Sequence, residues 1–399
     1  MSGEIRRGYM PALDGLRGAA ILLVLLRHAV ALPLQPATPV DAAVAAVGRL
    51  GWTGVDLFFV LSGFLITGIL LDTKGQPRWW PNFFVRRGLR IFPLYYGALA
   101  VIFILLPRLV DWADPDYAVL RDHQVWYWTY TVNFLNAFTH GRGTPLYTAH
   151  FWSLAIEEQF YLIWPLVVWR CRPETLLRVA LFAGIAGLAW RLGFVLHDPA
   201  NVAGTFVLTP GRLDGLMTGA ALAVVARGPN GLQTCSAWSP RVFALAVIAL
   251  AALAVTRGGL EYSDPVIAVV AYPVVAIGFG ALLVASLSAA PGSLLARTLR
   301  NATLRRWGKY SYGLYVVHYP LLGLLQAHCS WCERGVGMLG GSRLPAVLAL
   351  ALMVAAGSYG LAWLSYHVYE GPLLGLKRYF EPRPADRASP APLSSSHAV

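Results

Sequence analysis

The chain has 399 residues, 57% of them hydrophobic and only 13% charged, with a mean hydropathy of +0.55. Soluble domains carry about 25% charged residues, so the polar surface needed to cover a water-soluble particle is missing and a bilayer is the expected solvent. A net charge of +12 would suggest nucleic acid in a soluble chain, but here Lys and Arg sit in short clusters between apolar runs. That is a membrane-topology pattern and argues against a nucleic-acid partner.

A span needs about 20 mostly apolar residues. Such runs occupy 13–33, 54–71, 91–107, 151–169, 176–196, 210–227, 242–257, 265–289, 310–328 and 344–369. The expected fold class is all-α: a polytopic membrane helical bundle of about ten transmembrane helices over residues 1–370. A cytoplasmic tail is expected over 371–399, disordered from about residue 382, where Pro, Ser and Ala dominate. The first apolar run, Ala19 to Leu26, has no small-residue cleavage site followed by a polar mature region. It is therefore expected to stay as a span, with no soluble domain fused at either end. With the N-terminus inside, 22 of the 32 Lys and Arg fall on the cytoplasmic side and 7 on the opposite side. This bias predicts that both termini are cytoplasmic.

The longest external segment, 108–150, carries Trp112, Trp126, Tyr127, Trp128 and Tyr130, residue types suited to the membrane interface. Cys329 and Cys332 form a lone C-x-x-C, read as two loop cysteines, bridged if the loop faces an oxidising compartment; no metal site is expected.

Charged side chains inside spans are expensive and face a cavity or a partner, which makes them the first functional candidates. Arg17 and His28 lie eleven residues apart on the first predicted helix. At about 100° per residue they share a face to within roughly 20°, about 16 Å apart along the axis. A guanidinium holds phosphate or carboxylate, and an imidazole can accept a hydroxyl proton near neutral pH; an interfacial Arg and a buried structural His would look the same. Asp14, three residues before Arg17, is placed for an intrahelical ion pair. Asp56 and Ser62 lie in Gly54–Phe64, and the small residues Ser62, Gly63 and, just beyond, Gly68 suit close helix packing.

Arg86, Arg87 and Arg90 crowd the cytoplasmic entrance of the third span, and Arg87 and Arg90 share a helix face. They suit a polyanionic ligand such as a nucleotide, or equally anionic lipid. The stretch His150–Tyr161 opens the fourth span from the outside and carries Glu157 and Glu158, with Tyr161 on the Glu157 face; one carboxylate could orient an imidazole such as His28 or simply cap the helix. Arg212 and Asp214 open the sixth span in a Leu-Asp-Gly-Leu that also occurs at 13–16, as in an inverted repeat. Tyr312, Tyr315 and His318 gather early in the ninth span as a second polar wall or a packing network, and Glu370 closes the last span as a lid or an interface residue.

Taken together, these motifs resemble the integral membrane acyltransferase-3 family of O-acyltransferases. The matching stretches run in family order: Leu-Asp-Gly-Leu-Arg-Gly with His28, the Gly54–Phe64 block, Arg87-x-x-Arg90 before Pro93, and Phe151-Trp-Ser-Leu-x-x-Glu157. Arg212-x-Asp214-Gly, the Ser311–Pro320 block and Glu370-Gly-Pro372 follow. The resemblance implies a ten-helix core in a bacterial cytoplasmic (inner) membrane. It would take an acyl group, usually acetyl, from acyl-coenzyme A to a hydroxyl on a cell-envelope carbohydrate such as a polysaccharide, lipopolysaccharide or glycolipid. The family's Arg–x10–His pair falls on Arg17 and His28, its Arg-x-x-Arg pair on Arg87 and Arg90, and its Glu on Glu157. The combined expectation is that Arg17, Arg87 and Arg90, with Arg86, hold the coenzyme A phosphates or help polarise the donor, Arg17 counting among the catalytic residues with His28 and Glu157. His28, oriented by Glu157, would deprotonate the acceptor, and Tyr161, Tyr312 or His318 would stabilise the oxyanion. Acylation of a small natural product such as a macrolide is the alternative enzyme reading. A transporter or flippase of a polar solute is the alternative of another class.

Overall fold

A computed structural model describes residues 10–109, 115–145, 148–328 and 341–380 of the chain. Among the described residues the regular elements are helices, and no strand occurs. The first, α1 (Pro11–Leu25), opens with Pro in its first turn, where a missing N–H costs nothing, and with Asp14 beside the positive helix end. It runs on into a π-helical stretch, Leu26–Ala31, whose wider turns carry Arg27 and His28. α2 (Pro39–Arg49) starts with a capping box in which Thr38 and Asp41 satisfy each other's orphan N–H groups, and leads into α3 (Thr53–Thr73). Then come α4 (Trp79–Ala100), α5 (Phe151–Arg170), α6 (Pro173–His197) and α7 (Leu213–Val225). α8 (Ser239–Arg257), α9 (Tyr272–Ser288), α10 (Ala302–Lys309), α11 (Ser311–His328) and α12 (Leu344–Ser365) complete the set.

Six helical stretches are long and apolar enough to cross a membrane: Pro39–Thr73, Trp79–Arg108, Pro173–His197, Ser239–Arg257, Ile267–Ser288 and Leu344–Phe380. The four other expected spans are also helical, as α1 with its π-helical stretch, α5, α7 and α11. They fall short by these measures for physical reasons: α7 has 13 residues, α1 and its extension carry Asp14, Arg17 and Arg27, α5 carries Glu157 and Glu158, and α11 carries Tyr312, Tyr315, His318 and Tyr319. Burial grades the bundle from inside out. The apolar window of Pro39–Thr73 is 78% buried, whereas those of α6 and α8 are 17% and 11% buried. α6 and α8 turn Leu181, Phe182, Ile185, Leu196, Leu245 and Ile248 outward, where lipid is the apolar solvent that receives them.

The centre is built by close backbone approach. A Cβ added at Gly63 of α3 would lie 2.0 Å from the Leu216 carbonyl oxygen, and one at Gly219 of α7 would lie 2.0 Å from that of Val60. Only hydrogen fits on either side of that crossing, the small-residue geometry of membrane helix pairs. α1 is held the same way: Gly15 and Gly18 abut the carbonyls of Leu299 and Leu304, and Gly308 abuts that of Asp14.

The arginines within predicted spans find partners. Arg191 of α6, fully buried, donates to Asp214 Oδ2 at 2.8 Å. Arg212, also fully buried, pairs with Asp56 of α3 and lies beside the rings of Phe206 and Tyr272 at 4.8 and 4.5 Å. Arg27 donates to the Arg49 carbonyl at 3.1 Å and to Glu261 at 3.3 Å. Asp56, read as part of a packing segment, is thus one half of a buried ion pair. The two Leu-Asp-Gly-Leu copies also differ in role, since Asp14 pairs within its own helix and Asp214 pairs with α6.

The aromatic group of the expected external segment packs on α4: Tyr130 stacks on Tyr95 at 4.1 Å and Trp128 on Tyr96 at 6.0 Å. Trp112, Cys329, Cys332 and the tail from 381 lie outside the described residues. The part of the expected tail that is described is helical: Gly371–Gly375 and Leu376–Phe380 follow a π-helical stretch, Tyr366–Glu370, and fold back against α4.

Candidate active site

One cavity gathers most of the sequence candidates. It holds about 840 Å³ of empty space, counting its open mouth, and its lining includes Arg17, Arg87, Arg90, Glu157, Glu158 and Tyr161. Phe58, Ser62, Ser153, Tyr312 and Tyr315 complete the part that matters chemically. The helical period explains this convergence: Arg87 and Arg90 are one turn apart on α4, and Glu157 and Tyr161 one turn apart on α5. Arg17 is held by Asp14 at 3.2 Å, the intrahelical pair that the spacing predicts. Arg87 lies over the Tyr161 ring, 5.1 Å from its centroid.

The mouth of this cavity is strongly cationic. A second, adjoining hollow is lined by Arg17, Arg86, Arg87, Arg90 and Lys377, with Trp79, Phe83 and Asn82. Lys377 arrives on the fold-back segment and was not legible as a site residue, because its stretch reads as the start of a tail. A third hollow joins Arg17 and Arg90 to Lys309, Tyr310, Tyr366 and Glu370. Glu370 is buried and accepts a hydrogen bond from Ser365 at 3.0 Å, so it forms a wall of the vestibule.

Inside, the polar groups are already engaged with one another. The Ser62 hydroxyl lies 2.5 Å from that of Tyr161, so Ser62 faces the cavity rather than serving helix packing as expected. The Glu157 carboxylate faces those two hydroxyls and the guanidiniums of Arg87 and Arg17. Tyr312 donates to the Ile91 carbonyl at 2.8 Å. The lining ends at Ser153 and Tyr315, whose hydroxyls lie 2.5 Å apart, and Tyr315 also donates to the His150 carbonyl at 3.1 Å.

His28 is not in this lining; it sits past that end, in a cluster of rings. Its Nδ1 lies 2.8 Å from Nε2 of His318, and its ring stacks on Tyr319 at 4.3 Å. The His150 ring stands edge-on to His318 at 5.1 Å and to Tyr319 at 5.3 Å. The expected orienter of His28, Glu157, belongs instead to the arginine cavity, and the hydrogen-bond partner of His28 is His318. That contact also takes His318 out of the set of candidate oxyanion donors. Neither His150 nor Tyr319 was singled out by sequence, although both lie in motifs that were: His150 opens the α5 block and Tyr319 precedes Pro320.

Arg17 and His28 both reach toward α11, the first beside Tyr312 and the second at His318. The arrangement therefore has two chemically distinct halves on one helix: a guanidinium-lined hollow suited to a polyanion and an imidazole beside a second imidazole suited to proton transfer.

Comparison with known proteins bears on the same chemistry. The acyltransferase domain family matches residues 10–363. The peptidoglycan O-acetyltransferase OatA of Listeria monocytogenes is 29% identical over 94% of this chain and 58% of its own length. The O-acetyltransferase OatA of Staphylococcus aureus is 28% identical over 80% of this chain and 52% of its own length. The chain thus spans a little over half the length of these curated relatives. No solved structure matches it.

Proposed function

The chain belongs to the acyltransferase domain family, and from that premise we propose that it is a membrane O-acyltransferase. It moves an acyl group, acetyl foremost, from acyl-coenzyme A to a hydroxyl of a cell-envelope carbohydrate. The names of its relatives support acetyl as the group and peptidoglycan as the acceptor. The observation that carries the reading is the convergence of Arg17, Arg87 and Arg90 on one cavity whose inner end abuts the cluster holding His28. The cationic mouth suits the phosphates of coenzyme A, and binding of acyl-coenzyme A separates this reading from a transporter or flippase of a polar solute.

In this reading the about ten helices, α1, α5, α7 and α11 included, span the cytoplasmic membrane of a bacterium with the arginine end inside, as the Lys and Arg bias supports. Arg86, Arg87, Arg90 and Lys377 hold the phosphates, and Arg17 stands deeper. The thioester passes Phe58 and Ser62 to Ser153 and Tyr315. His28 accepts the proton of the acceptor hydroxyl as its oxygen attacks the thioester carbonyl. When the tetrahedral intermediate collapses, the C–S bond breaks and the thiolate takes that proton from His28. The products are the O-acyl ester and free coenzyme A.

The test is transfer or hydrolysis of radiolabelled acetyl-coenzyme A by purified protein in nanodiscs, with wild type beside His28→Ala and Arg87→Ala/Arg90→Ala. The expected result is label release that is lost with His28 and a weakened donor affinity in the arginine variant. Folded wild-type protein that neither binds nor turns over acetyl-coenzyme A or longer acyl donors would overturn the reading.

A further inference from the structure

His28 and His318 face each other through ring nitrogens 2.8 Å apart, so one of the two carries the proton between them. The other nitrogen of His318 decides which. Its Nδ1 lies 2.8 Å from the Tyr315 carbonyl oxygen and 3.0 Å from that of Leu314. Carbonyl oxygens only accept, so Nδ1 of His318 is the protonated nitrogen and, in the neutral ring, Nε2 carries the lone pair. Nδ1 of His28 must then donate to it. The opposite assignment would set a lone pair of His318 against two carbonyl oxygens in a fully buried site.

We propose that His318 is a positioning residue for His28: it holds His28 as the Nδ1–H tautomer and leaves Nε2 as the atom that accepts the acceptor's proton. The inference rests on the assignment of His28 as the base above and supplies the orienting group that this assignment lacks, since Glu157 lies with Arg87 and Tyr161. Tyr319 completes the clamp, its ring stacked within 10° of the His28 plane. The two imidazoles so oriented divide the work. His318 anchors to the backbone of α11 at Nδ1, while His28 is fixed at one edge and reactive at the other. A third group orienting a base is the general logic of activated nucleophiles. Here a neutral imidazole takes the place of a carboxylate, which places no fixed charge at this point of the bundle.

Two measurements test this together. In wild-type protein labelled with ¹⁵N-histidine, with His28→Ala for assignment, His28 should show a protonated Nδ1 and an unprotonated Nε2; the reverse pattern overturns the proposal whatever the mutants do. In the donor assay, His318→Ala should lower kcat roughly 10²- to 10⁴-fold, the range of general-base contributions, with little change in the KM for donor. His318→Gln, whose amide oxygen can accept from Nδ1–H, should recover part of that loss. An inactive His28→Ala beside His318 variants of wild-type rate would overturn this inference and leave the base intact. An active His28→Ala would overturn both. If His318→Ala fails to fold, the glutamine variant and the wild-type spectrum still decide.

Discussion

The crossing of α3 and α7 gives a perturbation whose size can be worked from the structure. In Gly63→Ala the new Cβ would sit 2.0 Å from the Leu216 carbonyl oxygen, 2.8 Å from its carbon and 3.1 Å from the Ala220 nitrogen. The first contact is about 1.4 Å short of the 3.4 Å at which ordinary van der Waals contact begins. All three neighbours are backbone atoms of α7, so no rotamer change can relieve the clash and the two helices must separate. Overpacking of this kind costs about 1–3 kcal/mol where the surroundings relax, and more where they do not. Here relaxation is limited, because Arg212 at the start of α7 is paired to Asp56 of α3. The separation would also move Phe58 and Ser62 of α3, which line the cavity. Denaturation in detergent should therefore show a lowered midpoint for Gly63→Ala and Gly219→Ala, together with reduced turnover. The control is Gly193→Ala on α6, where a Cβ meets nothing within 4 Å. That change removes unfolded-state entropy and should be neutral or stabilising by up to about 1 kcal/mol. A Gly63→Ala protein as stable and active as Gly193→Ala would refute the argument that backbone contact at this crossing sets the cavity.

The buried pair between Asp56 and Arg212 predicts a cycle. Asp56→Ala strands a fully buried guanidinium and should destabilise by about 3–5 kcal/mol, whereas Asp56→Leu with Arg212→Met should restore much of it; equal stability of the single and double variants in urea would contradict this. At the mouth, each guanidinium that bonds a phosphate contributes about 1.5–3 kcal/mol, so Arg87→Ala should weaken donor binding roughly 10- to 100-fold. Lys377→Ala should act in the same direction with kcat unchanged; isothermal titration with coenzyme A, at two salt concentrations, checks both.

What could be read from sequence follows the length scale of the interactions. The spans, the Asp14–Arg17 pair and the shared face of Arg87 and Arg90 depend on the 3.6-residue period, and periodicity is a local property. Partners across helices are another matter. That Arg212 takes Asp56, 156 residues away, and that His28 takes His318, 290 residues away, depends on which helices lie side by side. Nothing in the spacing of one chain segment reports that. Glu157 shows how the inference fails: a carboxylate within a span needs a partner, but several cations and hydroxyls compete, and the fold gives it to Arg87 and Tyr161. Lys377 was missed for the opposite reason. Its surroundings in sequence resemble a solvated tail, and only the fold-back after Glu370 brings it to the mouth.

The remaining question is why the two halves should be set apart along α1. Eleven residues separate Arg17 on α1 from His28 on its π-helical extension, and the cavity that begins at the arginines ends at the hydrogen-bonded hydroxyls of Ser153 and Tyr315. His28 lies past that point and is half-buried rather than sealed. The hydrogen-bonded pair stands between the arginine-lined cavity and the ring cluster of His28. On the proposed function it has a use, because the donor entering from the arginine end reaches Tyr315 before it reaches His28. Water admitted with either substrate would hydrolyse the thioester, so a barrier that opens to an acyl group and closes behind it protects the donor. Tyr315→Phe would keep the ring and lose both hydrogen bonds. It should then raise hydrolysis of acetyl-coenzyme A relative to transfer, and an unchanged ratio would mean that the seal lies elsewhere.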